Sequence, residues 1–253
     1  DYAWENNLAA FRLYGPALEK IMVSNGIDYW AKSTPNLVID DWYKKDLGGE
    51  GSYHLDTGEG CDCYNVGQTL GMGASAPYAG GKLWYSNFRE AETLDNGPIR
   101  TTAKITYAPF DVDGRQVSLV KIISLDANTH FNRIADIYSG GPDTLSIAAG
   151  IVIHAGAELF PGESYYALYE PASDSHSGND GPLGGSVVMP GGKPERIGDI
   201  AACVGTARSG QPLMYYMGAG TSKQDISAEQ WVLMTTREQM LLQHPLKVTL
   251  SGE

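Results

Sequence analysis

The stretch that most limits what this chain can become runs from Asn96 to Leu125. Asn96-Gly97-Pro98 is a strong turn signal, and Ile99 to Ala108 (IRTTAKITYA) then alternates apolar and polar residues up to Pro109. Asp113-Gly114 follows, and Gln116 to Leu125 (QVSLVKIISL) alternates again. A period of two marks a strand with one buried face. An Asp-Gly pair suits the tight turn that returns one strand antiparallel to the other. A long hairpin of this kind commits the chain to an antiparallel sheet.

The surrounding sequence repeats the pattern in shorter units. Leu8–Tyr14 reads as a strand closed by Gly15-Pro16, Ile27–Lys32 as another, and Lys82–Phe88 as a third, with Arg89–Asp95 either continuing it or pairing next to it. Asn132–Tyr138, Leu145–His154, Tyr165–Tyr169 and Ser186–Met189 continue the series, the last two separated by the polar loop from Ser173 to Gly185. Ala201–Ala207 and Leu213–Met217 are expected to pair around Ser209-Gly210, and Leu246–Leu250 to form a terminal strand. Only one helix of any length is expected, from Ser227 to about Gln243. Ser227-Ala228-Glu229-Gln230 has the form of a capping box, and apolar residues recur at Trp231, Met234, Leu241 and Leu242. No repeat or linker divides the chain. The expectation is a single domain over residues 1–253, all-β and mostly antiparallel, with ten or more strands in two large packed sheets and one C-terminal helix.

With 42% apolar residues the chain can build a substantial core, and its 31 glycines and 13 prolines fit many short strands and turns. The net charge of −12, with no basic cluster, argues against a nucleic-acid partner. No apolar run reaches the roughly 18 residues of a membrane-spanning helix. The start at Asp1-Tyr2-Ala3-Trp4-Glu5-Asn6 reads as the first strand of a mature protein whose signal peptide has been removed, which suggests a periplasmic or secreted location. The three cysteines, Cys61, Cys63 and Cys203, give no disulfide framework, and Cys61 and Cys63 are too close in sequence to bridge each other.

Gly51 to Tyr78 (GSYHLDTGEGCDCYNVGQTLGMGASAPY) is different in kind. It shows no sustained apolar period and packs His54, Asp56, Glu59, Asp62 and Tyr64 among many glycines. A long loop of this composition is expected to be the functional centre of the chain.

Several motifs carry a resemblance. They are YGPALEK from Tyr14, HLDTGEGCDCYNVGQTLGMGA from His54, NGPIRTTAKITYAP from Asn96, SLDANTHFNRI from Ser124, MYYMGAGTSK from Met214 and HPLKVTL from His244. Together they span nearly the whole chain, which resembles domain-of-unknown-function family 4861, found in bacterial polysaccharide-utilisation loci. The resemblance implies a galactose-mutarotase-like β-supersandwich. It also implies a lyase-like activity, the dehydration of oligosaccharides from uronate-containing polysaccharides such as ulvan. It supplies no catalytic residues, which must come from chemistry.

Elimination beside a uronate needs a base, an acid for the leaving oxygen, and a group that holds the carboxylate as charge develops. His54, with Asp56 and Glu59 near in sequence, is the first choice for proton transfer, with Tyr64 and His130 as the other catalytic candidates. Arg133 and Lys223 are cations able to hold a carboxylate, Lys223 following the small residues Gly218 to Ser222. Asp56, Glu59, Tyr78 and Trp84 complete the expected substrate contacts. His154 reads as an edge or core histidine, and His176 and His244 as peripheral. Asp56, Glu59 and Asp62 would also suit an oxygen-lined Ca²⁺ site, but the EF-hand pattern is missing and no other cofactor is called for. The expected partner is an acidic oligosaccharide. Two rival readings use the same region: a glycoside hydrolase working through paired carboxylates, and a non-catalytic sugar-binding module with Trp42, Trp84, Tyr64 and Tyr78 as stacking platforms.

Overall fold

A computed structural model describes residues 1–246 of the protein. Its strands are, in chain order, β1 (Tyr2–Glu5), β2 (Ala10–Leu13), β3 (Ile27–Lys32), β4 (Gly60–Asp62), β5 (Met72–Ala79), β6 (Lys82–Leu83), β7 (Glu90–Asn96), β8 (Arg100–Thr106) and β9 (Phe110–Val112). They continue with β10 (Arg115–Asp126), β11 (Phe131–Gly140), β12 (Thr144–Val152), β13 (Glu158–Pro161), β14 (Tyr165–Pro171), β15 (Pro182–Val188), β16 (Lys193–Ile197), β17 (Ile200–Arg208) and β18 (Pro212–Thr221). The helices are α1 (Ile39–Leu47) and α2 (Ala228–Gln243).

The strands form an antiparallel β-sandwich. A nine-stranded sheet runs β13-β14-β15-β18-β11-β10-β8-β7, with β9 paired to the start of β10. A five-stranded sheet, β16-β17-β12-β5-β6, packs against it, and a four-stranded sheet, β1-β2-β3-β4, touches both, β3 meeting β5 and β18 over a shared core. The hairpin read from sequence forms as expected. Asp113 and Gly114 both take positive φ, 53° and 78°, and β10 pairs with β8 from Val120↔Thr106 to Asp126↔Arg100. Lys121 on β10 and Asp136 on β11 are fully buried where the two large sheets meet. Lys121 Nζ donates to Asp136 Oδ1 (2.6 Å), to Ser75 Oγ of β5 (3.2 Å) and to Tyr215 Oη of β18 (3.2 Å).

The structure corrects four of the local expectations. Strands β17 and β18 do not pair with each other. β17 joins β12 and β16, and β18 joins β11 and β15, so Ser209-Gly210 carries the chain between sheets. The small residues Ala202 and Cys203 lie opposite Gly150 and Ala149, a close fit that favours the β12 partner. Of Lys82–Phe88 only Lys82–Leu83 is a strand. The expected terminal strand lies, beyond Leu246, outside the described residues.

The stretch from Gly51 to Tyr78 is also less of a loop than its composition suggests. It contains β4 and most of β5, and Cys61, Cys63, Tyr64, Val66, Leu70, Met72, Ala74 and Ala76 are all buried. Its glycines serve strand packing: a Cβ at Gly60 would lie 1.9 Å from the Ala31 carbonyl oxygen, and one at Gly71 2.3 Å from that of Ile27. Cys61, Cys63 and Cys203 are free thiols, as expected.

The fourth correction is helix α1, which the sequence reading missed because its N-cap residue, Val38, supplies no capping side chain. A carboxylate from another element does so. Glu5 of β1 accepts from the backbone N–H groups of Val38 and Ile39, both at 2.9 Å, and is itself paired with Lys32 Nζ at 2.7 Å. Asp40 and Asp41 in the first turn and Lys44 and Lys45 in the last complement the helix dipole. Helix α2 forms with both halves of its capping box, Ser227 and Gln230. Its Trp231 lies on the glycine backbone of Gly184 and Gly220, parallel to Phe131 at 5.6 Å.

Candidate functional site

The four-stranded sheet has two unlike faces. Phe11, Leu13, Ile27, Tyr29, Ala31 and Cys61 point into the main core. The alternate residues of the same strands, Arg12, Asp28, Trp30 and Asp62, point outward and are nevertheless buried. The register sets Arg12 opposite Asp28 and Trp30 opposite Asp62. Arg12 Nη2 lies 2.6 Å from Asp28 Oδ2 and 3.0 Å from Asp62 Oδ2, so one guanidinium serves two carboxyls.

An aromatic wall surrounds this pair of ion contacts. The Arg12 guanidinium lies 5.1 Å from the Tyr14 ring, 5.2 Å from Trp30 and 5.5 Å from Tyr53. The hydroxyls of Tyr14 and Tyr53 each accept from it at 3.4 Å. Helix α1 supplies Trp42 and Tyr43, which pack on Trp30 at 5.6 and 5.1 Å. Burial opposes the Arg12 charge, but Asp28 and Asp62 more than offset it. Burial raises the carboxyls of Asp28 and Asp62, and Asp28 pushes Asp62 further in the same direction. Burial, and then Asp28, holds the Tyr14 phenol above the ordinary tyrosine range.

His54 stands at the edge of this wall, its ring 4.7 Å from that of Tyr53. Its Nδ1 makes a 3.1 Å hydrogen bond with the Asp62 carbonyl oxygen, and Asp62 Oδ2 is 3.8 Å away. A carbonyl only accepts, so Nδ1 carries the proton and Nε2 keeps a free lone pair. The loop between β14 and β15 brings Asp174 and His176 to the same place. Asp174 Oδ2 is 3.9 Å from His54 Nδ1, Asp174 Oδ1 is 3.5 Å from His176 Nε2, and the two imidazoles stack at 5.1 Å.

Both loops are tied down. Asp174 N–H donates to the Cys63 carbonyl (3.0 Å) and Asn65 N–H to Ser173 Oγ (2.9 Å). Lys223, just past β18, joins them: its Nζ is hydrogen-bonded to Asp56 of the first loop and lies 3.2 Å from Asp180 Oδ1 of the second. Asp180 is buried, which opposes its charge. Hydrogen bonds from Ser175, Ser177, Cys61 and Lys223 outweigh that and hold its pKa at about 2. Asp56 is likewise lowered, the Lys223 bond and the Gly58 and Gly60 N–H groups overcoming burial.

A family model described as "Domain of unknown function (DUF4861)" matches residues 1–248. The chain belongs to that family. It is also 40% identical over 163 residues to "Uncharacterized protein P7" of Formosa agariphila. That match covers 61% of this chain and 40% of the relative's length.

In this DUF4861 domain the expected site residues separate into two groups. His54, Asp56 and Lys223 come together as described. Glu59 stays at the margin, 4.0 Å from Lys45. Asp56, Glu59 and Asp62 do not converge on one point. Asp56 is held by Lys223, Asp62 by Arg12 and Glu59 by Lys45, so neither the Ca²⁺ cage nor a free carboxylate pair forms from them. Tyr64 is buried with its hydroxyl unpartnered, its ring edge-on to His154 at 5.3 Å. His154 pairs with Glu170 at 2.7 Å, in keeping with its reading as an edge histidine.

His130 is buried, bonded through Nδ1 to the Ala219 carbonyl (3.1 Å) and edge-on to Trp231. Arg133 is exposed on β11 beside Tyr216 and Glu238. Tyr78 and Trp84 lie by the β5–β6 hairpin, where Trp84 Nε1 donates to the Ala79 carbonyl and Lys82 sits over its ring. Trp42 and Tyr64 are buried, so the four aromatics of the binding-module reading make no common platform. The sequence reading overlooked Arg12, Asp28, Tyr14, Tyr53 and Asp174, and set His176 aside as peripheral. One sequence signal did exist: Arg12 and Asp28 are charges inside otherwise apolar strands.

Proposed function

We propose that the protein is a carbon–oxygen lyase of the dehydratase type, acting on acidic, uronate-containing oligosaccharides of the ulvan kind at the outer face of the four-stranded sheet. The observation that supports this most is the Arg12 guanidinium with two tyrosine hydroxyls on it and His54 alongside. The elimination breaks a C–H bond next to the carboxylate and a C–O bond on the neighbouring carbon, and forms a C=C bond between them. The proton leaves with the expelled oxygen, as water in a dehydration.

Tyr14 and Tyr53 are the proton-transfer groups. Tyr14 stays in its phenol form and donates to the leaving oxygen, with the Arg12 guanidinium next to its oxygen. Trp30 and Tyr43, at 5.0 and 5.8 Å, hold the Tyr53 ring in place. A periplasmic or secreted location in a bacterium, where such oligosaccharides arrive, belongs to the same reading.

The test is incubation with ulvan-derived oligosaccharides, followed by ultraviolet absorbance of the conjugated unsaturated uronate and by mass spectrometry for loss of one water. Tyr53→Phe and Tyr14→Phe should each lower kcat by about 10²–10⁴-fold. Cleavage without a chromophore would favour hydrolysis, and full activity in both phenylalanine variants would remove the assigned roles.

A further inference from the structure

The reaction proposed above needs a positive centre for the substrate carboxylate, and among the described residues the cations near the site, Arg12, Lys223 and (beside Tyr53) Lys45, all face carboxyl groups already. Arg12 is shared by Asp28 and Asp62, and Lys223 by Asp56 and Asp180. Each of these two already faces two carboxyl groups, and Asp174 adds a further one at the edge. A uronate arriving here would meet net negative charge.

We infer that His54, Asp174 and His176 form a binding site for a divalent transition-metal ion of the Zn²⁺ class, with a coordination position left open to the substrate carboxylate. One ligand atom from each residue lies within 4.8 Å of the other two. Tetrahedral Zn²⁺ with bonds of about 2.0–2.1 Å would draw such atoms to roughly 3.3 Å. Asp174 Oδ1, 3.5 Å from His176 Nε2, already approaches that, and the half-exposed His176 is free to rotate in.

The surroundings of His54 are those of a metal ligand. Its Nδ1–H is held by the Asp62 carbonyl, which fixes the ring and leaves Nε2 to coordinate. The Asp62 carboxyl backs the same ring at 3.8 Å. It is 1% exposed, and its Oδ1 has no hydrogen-bond partner within the protein. Two imidazoles and one carboxylate select a borderline ion over Ca²⁺, which takes six or more oxygens. Three protein ligands are the number found at catalytic zinc centres, where the fourth position meets water or substrate. His54 thereby takes a coordinating role in place of the proton transfer expected from sequence, and the two tyrosines keep the proton chemistry.

Metal binding can be measured apart from turnover. Tag-free protein stripped with chelator and dialysed should take up one Zn²⁺ per chain in calorimetry and elemental analysis. Co²⁺ should give the visible absorption of a low-coordinate site. His176→Ala and Asp174→Asn should each weaken Zn²⁺ at least about 10-fold. Both side chains are partly exposed, so the fold should persist, as circular dichroism can verify. Ca²⁺ in excess should not displace Zn²⁺. Absence of stoichiometric uptake, or uptake unchanged in both variants, would overturn the site whatever the activity. The inference also rests on the lyase reading for its open position. Undiminished elimination by metal-free protein would sever the ion from the carboxylate, whereas Zn²⁺ uptake with no elimination on any uronate would leave the site standing and count against the lyase.

Discussion

Lys121 and Asp136 form an ion pair with no solvent exposure on either side chain, 2.6 Å apart where the two large sheets meet. Burial lowers the Lys121 pKa and the Asp136 charge works against that shift, so the pair is stable only as a pair. Replacing Lys121 alone with Met strands a buried carboxylate and should cost about 3–5 kcal/mol in urea denaturation. The double variant Lys121→Met, Asp136→Leu should recover a large part of that loss. Equal losses in the single and double variants would show that the cost is packing, not charge.

His130 gives a pH dependence whose sign follows from its burial. Burial lowers its pKa from the ordinary 6.5, and the bond to the Ala219 carbonyl only partly offsets this. Below that value the unfolded chain binds a proton that the folded chain resists, so folding stability falls as pH drops from about 6.5 to the depressed folded value. The effect is absent above neutrality. Melting temperatures from pH 8 to pH 5 should therefore fall less steeply in His130→Gln than in the wild type. Parallel curves would mean that His130 does not titrate in this range.

Gly184 should not tolerate even a methyl group. A Cβ there would lie 2.6 Å from the Trp231 ring, which is packed beside Phe131 and over Gly220. Gly184→Ala should lose about 1–3 kcal/mol, a fall of roughly 2–4 °C in Tm per kcal/mol for a chain of this size. Gly191→Ala offers a comparison, since nothing lies within 4 Å of its added carbon and only its φ of 75° resists the change.

The cysteines should be silent in the folded protein. All three are free and 0% exposed; the contact with Cys63 and then burial keep the Cys61 thiol from ionising, and burial does the same for Cys203. A thiol reagent should find none under native conditions and three after denaturation. Rapid native labelling would mean that β4 opens.

The strand pattern was legible because alternation and turn chemistry are local. Asp113-Gly114 and the Ser227 capping box acted as they do in any context. Helix α1 escaped because its cap, Glu5, comes from another strand. The β17–β18 pairing failed because adjacency in sequence was taken for adjacency in the sheet. For the site, His54, Asp56 and Lys223 could be found as polar groups among glycines. Arg12 and Asp28 could not be joined without the β2–β3 register, nor His176 to His54 without knowing that the β14–β15 loop folds over β4. Tyr64 shows the opposite error: it stands in a polar-looking stretch, but the segment that follows β4 packs it into the core.

The Lys223 ammonium bridges carboxylates from two loops that lie far upstream of it in the chain. During synthesis Asp56 and Asp180 leave the ribosome well before their counter-ion, and Lys223 arrives only with β18, the strand inserted between β11 and β15. Until then Asp56 and Asp180 lack their counter-ion, and the two loops lack one of the ties that hold His54 beside Asp174 and His176. The site would therefore be among the last parts of the molecule to assemble, and incomplete chains would lack it. Refolding followed by tryptophan fluorescence and by Co²⁺ absorption should show the metal signal trailing the core.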